Sequence, residues 1–278
     1  MQNYICTNCG VQYDATEFPP GRCVICEDER QYVNWEGQQW TTMGELRFDY
    51  SNILKPEAPG LIGIGTEPKF AIGQRALLVQ APAGNVLWDS ISLIDDATVQ
   101  AVRDLGGISA IAISHPHFYS SMVEWSYAFG NIPIYLHIAD RQWLMRPDAR
   151  IEFWEGETRQ IGQGMTLVRC GGHFPGGTVL HWSEGNEGRG ALLSGDIIQV
   201  AMDRRSVSFM CSYPNYIPLD AQAVRHVAAA VEPCRFDAIY GAWFGLNIVS
   251  DAKAVLAHSV ERYVRAIGAA TPISRMAG

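Results

Sequence analysis

The sequence predicts an α/β chain with a small N-terminal metal-binding module, on three observations. Short apolar, β-branched runs alternate with helical patterns along most of its 278 residues. One run, Gly107-Ile108-Ser109-Ala110-Ile111-Ala112-Ile113, is followed at once by His115-Pro116-His117. Two Cys-x2-Cys pairs, Cys6/Cys9 and Cys23/Cys26, lie near the start.

The His pair comes first. A run of that length reads as a buried strand, so both imidazoles leave its C-terminal end, where open α/β sheets place ligands. Pro116 biases Ser114-His115 toward an extended backbone, and in an extended segment residues i and i+2 face the same way. Both rings can then reach one metal ion. A lone His-x-His is weak evidence, since a histidine that merely satisfies itself in the core is common. Two more candidate ligands strengthen it: His173 in Cys170-Gly171-Gly172-His173, and Asp196 behind the apolar run Ala191-Leu192-Leu193-Ser194-Gly195. Glycines around both allow sharp, exposed turns.

The order His-x-His, Gly-His, strand-Gly-Asp resembles the metallo-β-lactamase fold superfamily over about residues 46 to 278. The resemblance implies a four-layer αββα sandwich, with residues 1–45 as an appended module and connector. It also implies a degraded second metal site. The family's His-x-His-x-Asp-His reads here His115-Pro116-His117-Phe118-Tyr119-Ser120, with Tyr119 and Ser120 in place of Asp and His. The family's last histidine is missing from Ala238-Ile239-Tyr240-Gly241-Ala242-Trp243. Phenol, hydroxyl and indole do not replace carboxylate and imidazole for a divalent ion at neutral pH. One ion, held by His115, His117, His173 and Asp196, is expected.

The four N-terminal cysteines, with 13 residues between the pairs, match a tetrahedral structural zinc site of ribbon type. Disulfides are the alternative. They fit poorly with seven cysteines and a start, Met1-Gln2-Asn3-Tyr4-Ile5-Cys6, that lacks a basic and apolar leader pattern. Cytoplasmic residence is expected, with Cys170, Cys211 and Cys234 as free thiols. At 47% hydrophobic and 18% charged residues the chain is ordinary for a globular protein. A net charge of −8, with scattered basic residues, argues against nucleic acid as a partner. No apolar run reaches membrane-spanning length.

Other elements follow in order. Residues 35–60 read as a connector anchored by Trp35, Trp40 and Phe48. Strands are expected at Leu61–Ile64, Arg75–Gln80 and Asn85–Trp88, with Asp89 closing the last as a turn cap or as support for a ligand. A helix carries Ile94, Val99, Val102 and Leu105. Ser121-Met122-Val123-Glu124 reads as a capping box opening another. Strands follow near Ile132–Tyr135, Met165–Val168, Val179–Trp182 and Ala191–Leu193, and helices near Ala221–Val231 and Ala252–Ile267. His137, His226 and His258 fall in helical patterns and His181 on a strand, all as packing or surface residues. The aromatic segment Asp203–Pro218 reads as a loop over the site.

Three functions fit. The first is a single-metal hydrolase in which zinc activates a water against an ester, thioester, amide or lactone of a small-molecule substrate. Asp196 completes the ligand set or moves a proton, and Tyr119 donates to the oxyanion. The second is a mononuclear iron oxygenase of persulfide-dioxygenase type, using His115, His173 and Asp196 as a 2-His-1-carboxylate face. The third is a non-catalytic scaffold that contacts a protein through its zinc ribbon.

Overall fold

The computed structural model describes residues 1–268. Two sheets form its centre. The first has seven strands, in spatial order Ile151–Trp154, Ile134–His137, Ala110–Ala112, Val86–Trp88, Ala76–Val79, Leu61–Glu67 and Ser51–Ala58. The second has six, in order Thr158–Gly162, Met165–Arg169, Thr178–Trp182, Ala191–Gly195, Ala238–Gly241 and Asn247–Ile248.

Period-two alternation sorts each strand's side chains between two cores. Leu77 and Val79 join Trp88, Ala110 and Ala112 against Leu167, Leu180, Leu193 and Tyr240 of the second sheet. Their neighbours Ala76 and Leu78 face outward, with Leu87 and Ile111, onto Val102 of the helix Asp96–Asp104 and Trp125 of the helix Met122–Ala128. Val168, Val179, Leu192 and Ile239 face the opposite way. They pack on Val224, Val227 and Val231 of the helix Ala221–Val231 and on Leu256 and Val264 of the helix Ala252–Ala266. The result is the four-layer αββα sandwich. Strands buried on both faces explain why the sequence shows continuous apolar runs rather than alternation.

The N-terminal module is a three-stranded sheet of Gln2–Cys6, Gln12–Thr16 and Trp40–Thr41. It lies on the helical side of the first sheet, and its four cysteines share one core with Ile64, Ile111 and Trp125. Backbone bonds stitch it down: Gln12 N to Ser120 O at 3.0 Å and Asp14 N to Met145 O at 3.0 Å. Among the described residues, no helix is long and apolar enough to cross a membrane.

Several local expectations differ from the structure. The supposed connector holds a capped helix, Met43–Asp49, and an edge strand, Ser51–Ala58. Trp35 is 99% exposed and Phe48 90%, so neither is an anchor; Trp40 is, edge-on to Tyr13 at 4.9 Å. The helix after the His loop forms, but Ser121 makes no side-chain cap, and Glu124 instead pairs with Arg146 at 2.7 Å. His137 ends a strand and caps a 3-10 turn through Nδ1, where a helix was expected.

Candidate metal centres

His115 and His117 follow the strand Ala110–Ala112, His173 follows Met165–Arg169, and Asp196 follows Ala191–Gly195. Both sheets thus deliver their strand C-termini to one end of the sandwich, with Thr178 N bonded to Ser114 O at 2.9 Å across the seam. Gly195 is required there. Its φ is +55°, and a Cβ would lie 2.8 Å from Ser114 Oγ.

The approach of the His pair differs from the expected extended segment. His115 is extended, but Pro116 opens a 3-10 turn over Pro116–Phe118, as proline favours at a first helical position. The two rings are 5.0 Å apart at 76°, so they approach a common point through different nitrogens. His117 Nδ1 lies 3.2 Å from His173 Nε2, and His115 Nε2 lies 3.2 Å from Asp196 Oδ1. Donor atoms of all four residues lie within 4.8 Å of one another, and all four are buried.

Those separations fit a metal. Ligands about 2.0–2.1 Å from a tetrahedral ion stand about 3.3 Å apart. His115 Nε2 and Asp196 Oδ1 are buried without a hydrogen-bond partner, a costly arrangement that a cation resolves. Burial holds the His115 and His117 imidazoles well below their ordinary range and His173 down to about 4, so all three are neutral and able to ligate. Burial also pushes the Asp196 carboxyl up to about 7.

Neighbouring groups aim the ligands. His173 Nδ1 donates to Met210 O at 3.0 Å, leaving Nε2 free. His115 Nδ1 meets Ser114 Oγ at 2.9 Å, and Asp89 Oδ1 accepts from Ser114 N at 2.8 Å. Asp89 therefore acts on His115 through Ser114, and its burial raises its carboxyl to about 8. The Phe174 ring lies 4.9 to 5.4 Å from all three imidazoles.

The centre opens on a cavity of about 250 Å³ walled by Arg30, Gln31, Tyr32, Ile72, Tyr213, Pro214 and Trp243. Tyr213 comes from the aromatic loop expected over the site. Trp243, where the family histidine is missing, is held by its indole N–H on Ile72 O at 3.0 Å. Tyr119 is placed differently from expectation. It is buried under the N-terminal module, beside Val11, Gln12, Met122 and Leu144, and does not line the cavity. The cause is the turn at Ser120, with φ +37°, whose hydroxyl accepts from Gln74 Nε2 at 2.9 Å. Arg30 and Gln31 escaped sequence reading, because nothing in Asp28-Glu29-Arg30-Gln31 distinguishes it from a solvated, charged loop.

The second cluster is closed. Cys6 Sγ lies 3.6 Å from Cys26 Sγ and Cys9 Sγ 3.7 Å from Cys23 Sγ, with all seven cysteines free. A disulfide would need about 2.05 Å, whereas a tetrahedral ion at about 2.3 Å spaces sulfurs by about 3.8 Å. Three donors point at the sulfurs: Asn8 Nδ2 at Cys26, Gln38 Nε2 at Cys6 and the Tyr13 hydroxyl at Cys23, at 3.4, 3.3 and 3.2 Å. Hydrogen bonds from the other three thiols drive Cys6 far down, while burial drives Cys9 up. Such a set suits thiolates around a cation.

Comparison with solved structures places the architecture. VMB-1, a structure determined at pH 5.5, superposes with a TM-score of 0.59 at 14% identity over 78% of this chain and 98% of its own. The DIM-1 metallo-β-lactamase gives 0.58 at 12% over 78% and 98%. FIM-1 from Pseudomonas aeruginosa, in its mono-zinc form, gives 0.54 at 15% over 76% and 95%. The chain has the metallo-β-lactamase fold, with a four-cysteine module at its N-terminus. No family model matches the sequence. The uncharacterized protein YmaE of Bacillus subtilis (strain 168) is 51% identical over 269 residues, 96% of this chain and 97% of that protein. The chain belongs to the YmaE family.

Proposed function

We propose that this chain is a metal-dependent hydrolase that works with one ion, zinc, and acts on an ester, thioester, amide or lactone. The observation behind this reading is the convergence of three neutral imidazoles and Asp196, with His117, His173 and Asp196 on the wall of an accessible cavity. His115 Nε2, His117 Nδ1, His173 Nε2 and a carboxylate oxygen of Asp196 would hold the ion. Bound there, it supplies Lewis-acid polarisation of a carbonyl and a water activated near neutral pH.

The chain's own groups do the rest. Asp196 has two oxygens at different places, Oδ1 3.2 Å from His115 Nε2 and Oδ2 3.9 Å from His173 Nε2. One can join the ligand set while the other takes and returns a proton. Arg30, paired with Asp28 at 2.7 Å, borders the cavity on the His173 side. Ile72 and Trp243 exclude water and select an apolar acyl group. Tyr32 and Pro214 also line an adjacent groove, together with Val33, Asn34, Trp35 and Asn215.

One ion rather than two follows from Tyr119 and Ser120 being committed elsewhere and from the indole at Trp243. Zinc rather than iron is favoured because His117 joins the set, making three imidazoles where the iron reading needs two. The test compares zinc-loaded protein with His115→Ala on p-nitrophenyl esters and acyl thioesters. Turnover lost in the variant supports hydrolysis; equal, background rates overturn it. Anomalous scattering at the zinc and iron edges checks the metal.

A further inference from the structure

We infer that Arg30 is a positioning residue for His173, and that through it the four-cysteine module sets the geometry of the histidine centre. This rests on the reading that both clusters hold metal ions. Arg30 stands four residues beyond Cys26, so the knuckle fixes where its backbone emerges. Its Nε donates to the backbone oxygen of His173 at 2.8 Å, and its other arm is held by Asp28 Oδ1 at 2.7 Å. The guanidinium also lies 4.6 Å from the centroid of Phe174, the ring that touches all three imidazoles.

The bond is part of a closed circuit. The His173 ring donates to Met210 O, and two residues on, Ser212 Oγ donates to Arg30 O at 3.1 Å. Asn215 Nδ2 bonds Glu29 O and Gln31 O, at 2.9 and 2.8 Å, tying the same segment down on either side. His173 is therefore gripped twice, by its ring from the strand Met210–Ser212 and by its carbonyl from the cysteine module. The flanking Gly171 and Gly172, both at positive φ, leave the ligand loop little rigidity of its own. An external clamp is what such a loop lacks. Arg30 suits the task because its planar fork bonds two acceptors and stacks on a ring at once, which an ammonium does not.

The segment also faces the chemistry. Gln31 is 6% exposed, lines the cavity, and its Oε1 is buried without a partner. An acceptor left open in that wall shows the module contributing to the centre's surface as well as to its frame.

The experiment uses full-length, cobalt-substituted protein, comparing Arg30→Ala and Arg30→Lys with the parent. The histidine centre is read by its weak d–d bands and by zinc competition against a chelator, the cysteine centre by thiolate-to-cobalt charge transfer. Arg30→Ala should shift the d–d bands and weaken zinc at the histidine centre by roughly 10 to 100-fold, with the charge-transfer band intact. Arg30→Lys, which keeps one donor, should recover part of the loss. Should Arg30→Ala fail to fold, Ser212→Ala keeps the Arg30 side chain, removes the bond to the Arg30 carbonyl together with the one Ser212 Oγ accepts from Asn215 N, and should give a smaller shift of the same sign. Unchanged d–d bands and zinc affinity overturn the proposal, as does equal loss of both metals. None of these readouts needs a substrate, so absent ester turnover in the parent would sink the hydrolase reading and leave this one standing.

Discussion

The two clusters use the same device, four buried donors around a common point, to opposite ends. The cysteine cluster draws its ligands from two knuckles, Cys6/Cys9 and Cys23/Cys26, close in sequence, and seals them in the helical-side core. Every sulfur is at most 1% exposed, and amide and phenol donors cover Cys6, Cys23 and Cys26. Nothing is left for a substrate to reach. The histidine cluster gathers four ligands on three loops from two sheets, leaves Asp196 Oδ1 without a hydrogen-bond partner and opens on a cavity. Closed coordination holds a fold together, and an accessible side is what reactivity needs. The comparison also shows where they meet: the cysteine module, which cannot build a core alone, lends its next segment as a wall of the other centre.

The comparison breaks most sharply on metal content. His115→Ala with His117→Ala should lower bound metal from about two equivalents to about one while thiolate-to-cobalt absorption persists. Loss of both by elemental analysis would mean the centres are one unit. Next in size, Cys23→Ser with Cys26→Ser should destabilise the whole chain by at least about 4 kcal/mol in a single thermal transition, because the cysteines lie in a core shared with Ile111 and Trp125. A separate early transition confined to residues 1–42 would show that the module melts alone.

Asp89→Ala should cost roughly 10 to 100-fold in zinc affinity at the histidine centre only, since it frees Ser114 and with it His115. Equilibrium dialysis against a chelator reads this directly.

Proton release separates the centres more finely. With Cys9 and Cys26 pushed up, metal uptake by the cysteines at pH 7 should expel at least about two protons. At the histidine centre the imidazoles are already neutral, so only Asp196, raised to about 7, has a proton to lose. Binding that releases protons weakens as pH falls. The histidine centre should therefore be indifferent to pH above about 8 and lose about one decade of affinity per unit below about 7, and the cysteine centre should fall more steeply. Calorimetry in buffers of different ionisation enthalpy counts the protons; three at the histidine centre would mean the rings are charged when empty. Smallest of all, Tyr119→Phe should leave ester turnover within about twofold, against the 10²–10³ expected of a lost oxyanion donor. A large loss would place the phenol at the reacting carbonyl after all.

Most of the sandwich was legible because strands buried on both faces leave unbroken apolar runs, and both long helices follow their apolar period closely. Ser51–Ala58 escaped because an edge strand has one exposed face and carries Pro56. The ligands were legible for a similar reason: each sits just past a readable strand, in a Gly- or Pro-marked turn. Tyr119 was misplaced because strand-end position does not reveal which way the next turn rolls. That depended on Ser120 and on Gln74, 46 residues away.

By itself the sequence determined most of the sandwich's elements, the four cysteines as a set and the four histidine-centre ligands as candidates, since spacing and periodicity are local. Only the tertiary structure decided that His117 would turn Nδ1 toward His173 Nε2, that Trp243 would wall the cavity while Tyr119 left it, and that Arg30 would bond the His173 carbonyl. Each of these is a contact between chain segments distant in sequence, and such contacts exist only once two sheets and a small module have packed against one another.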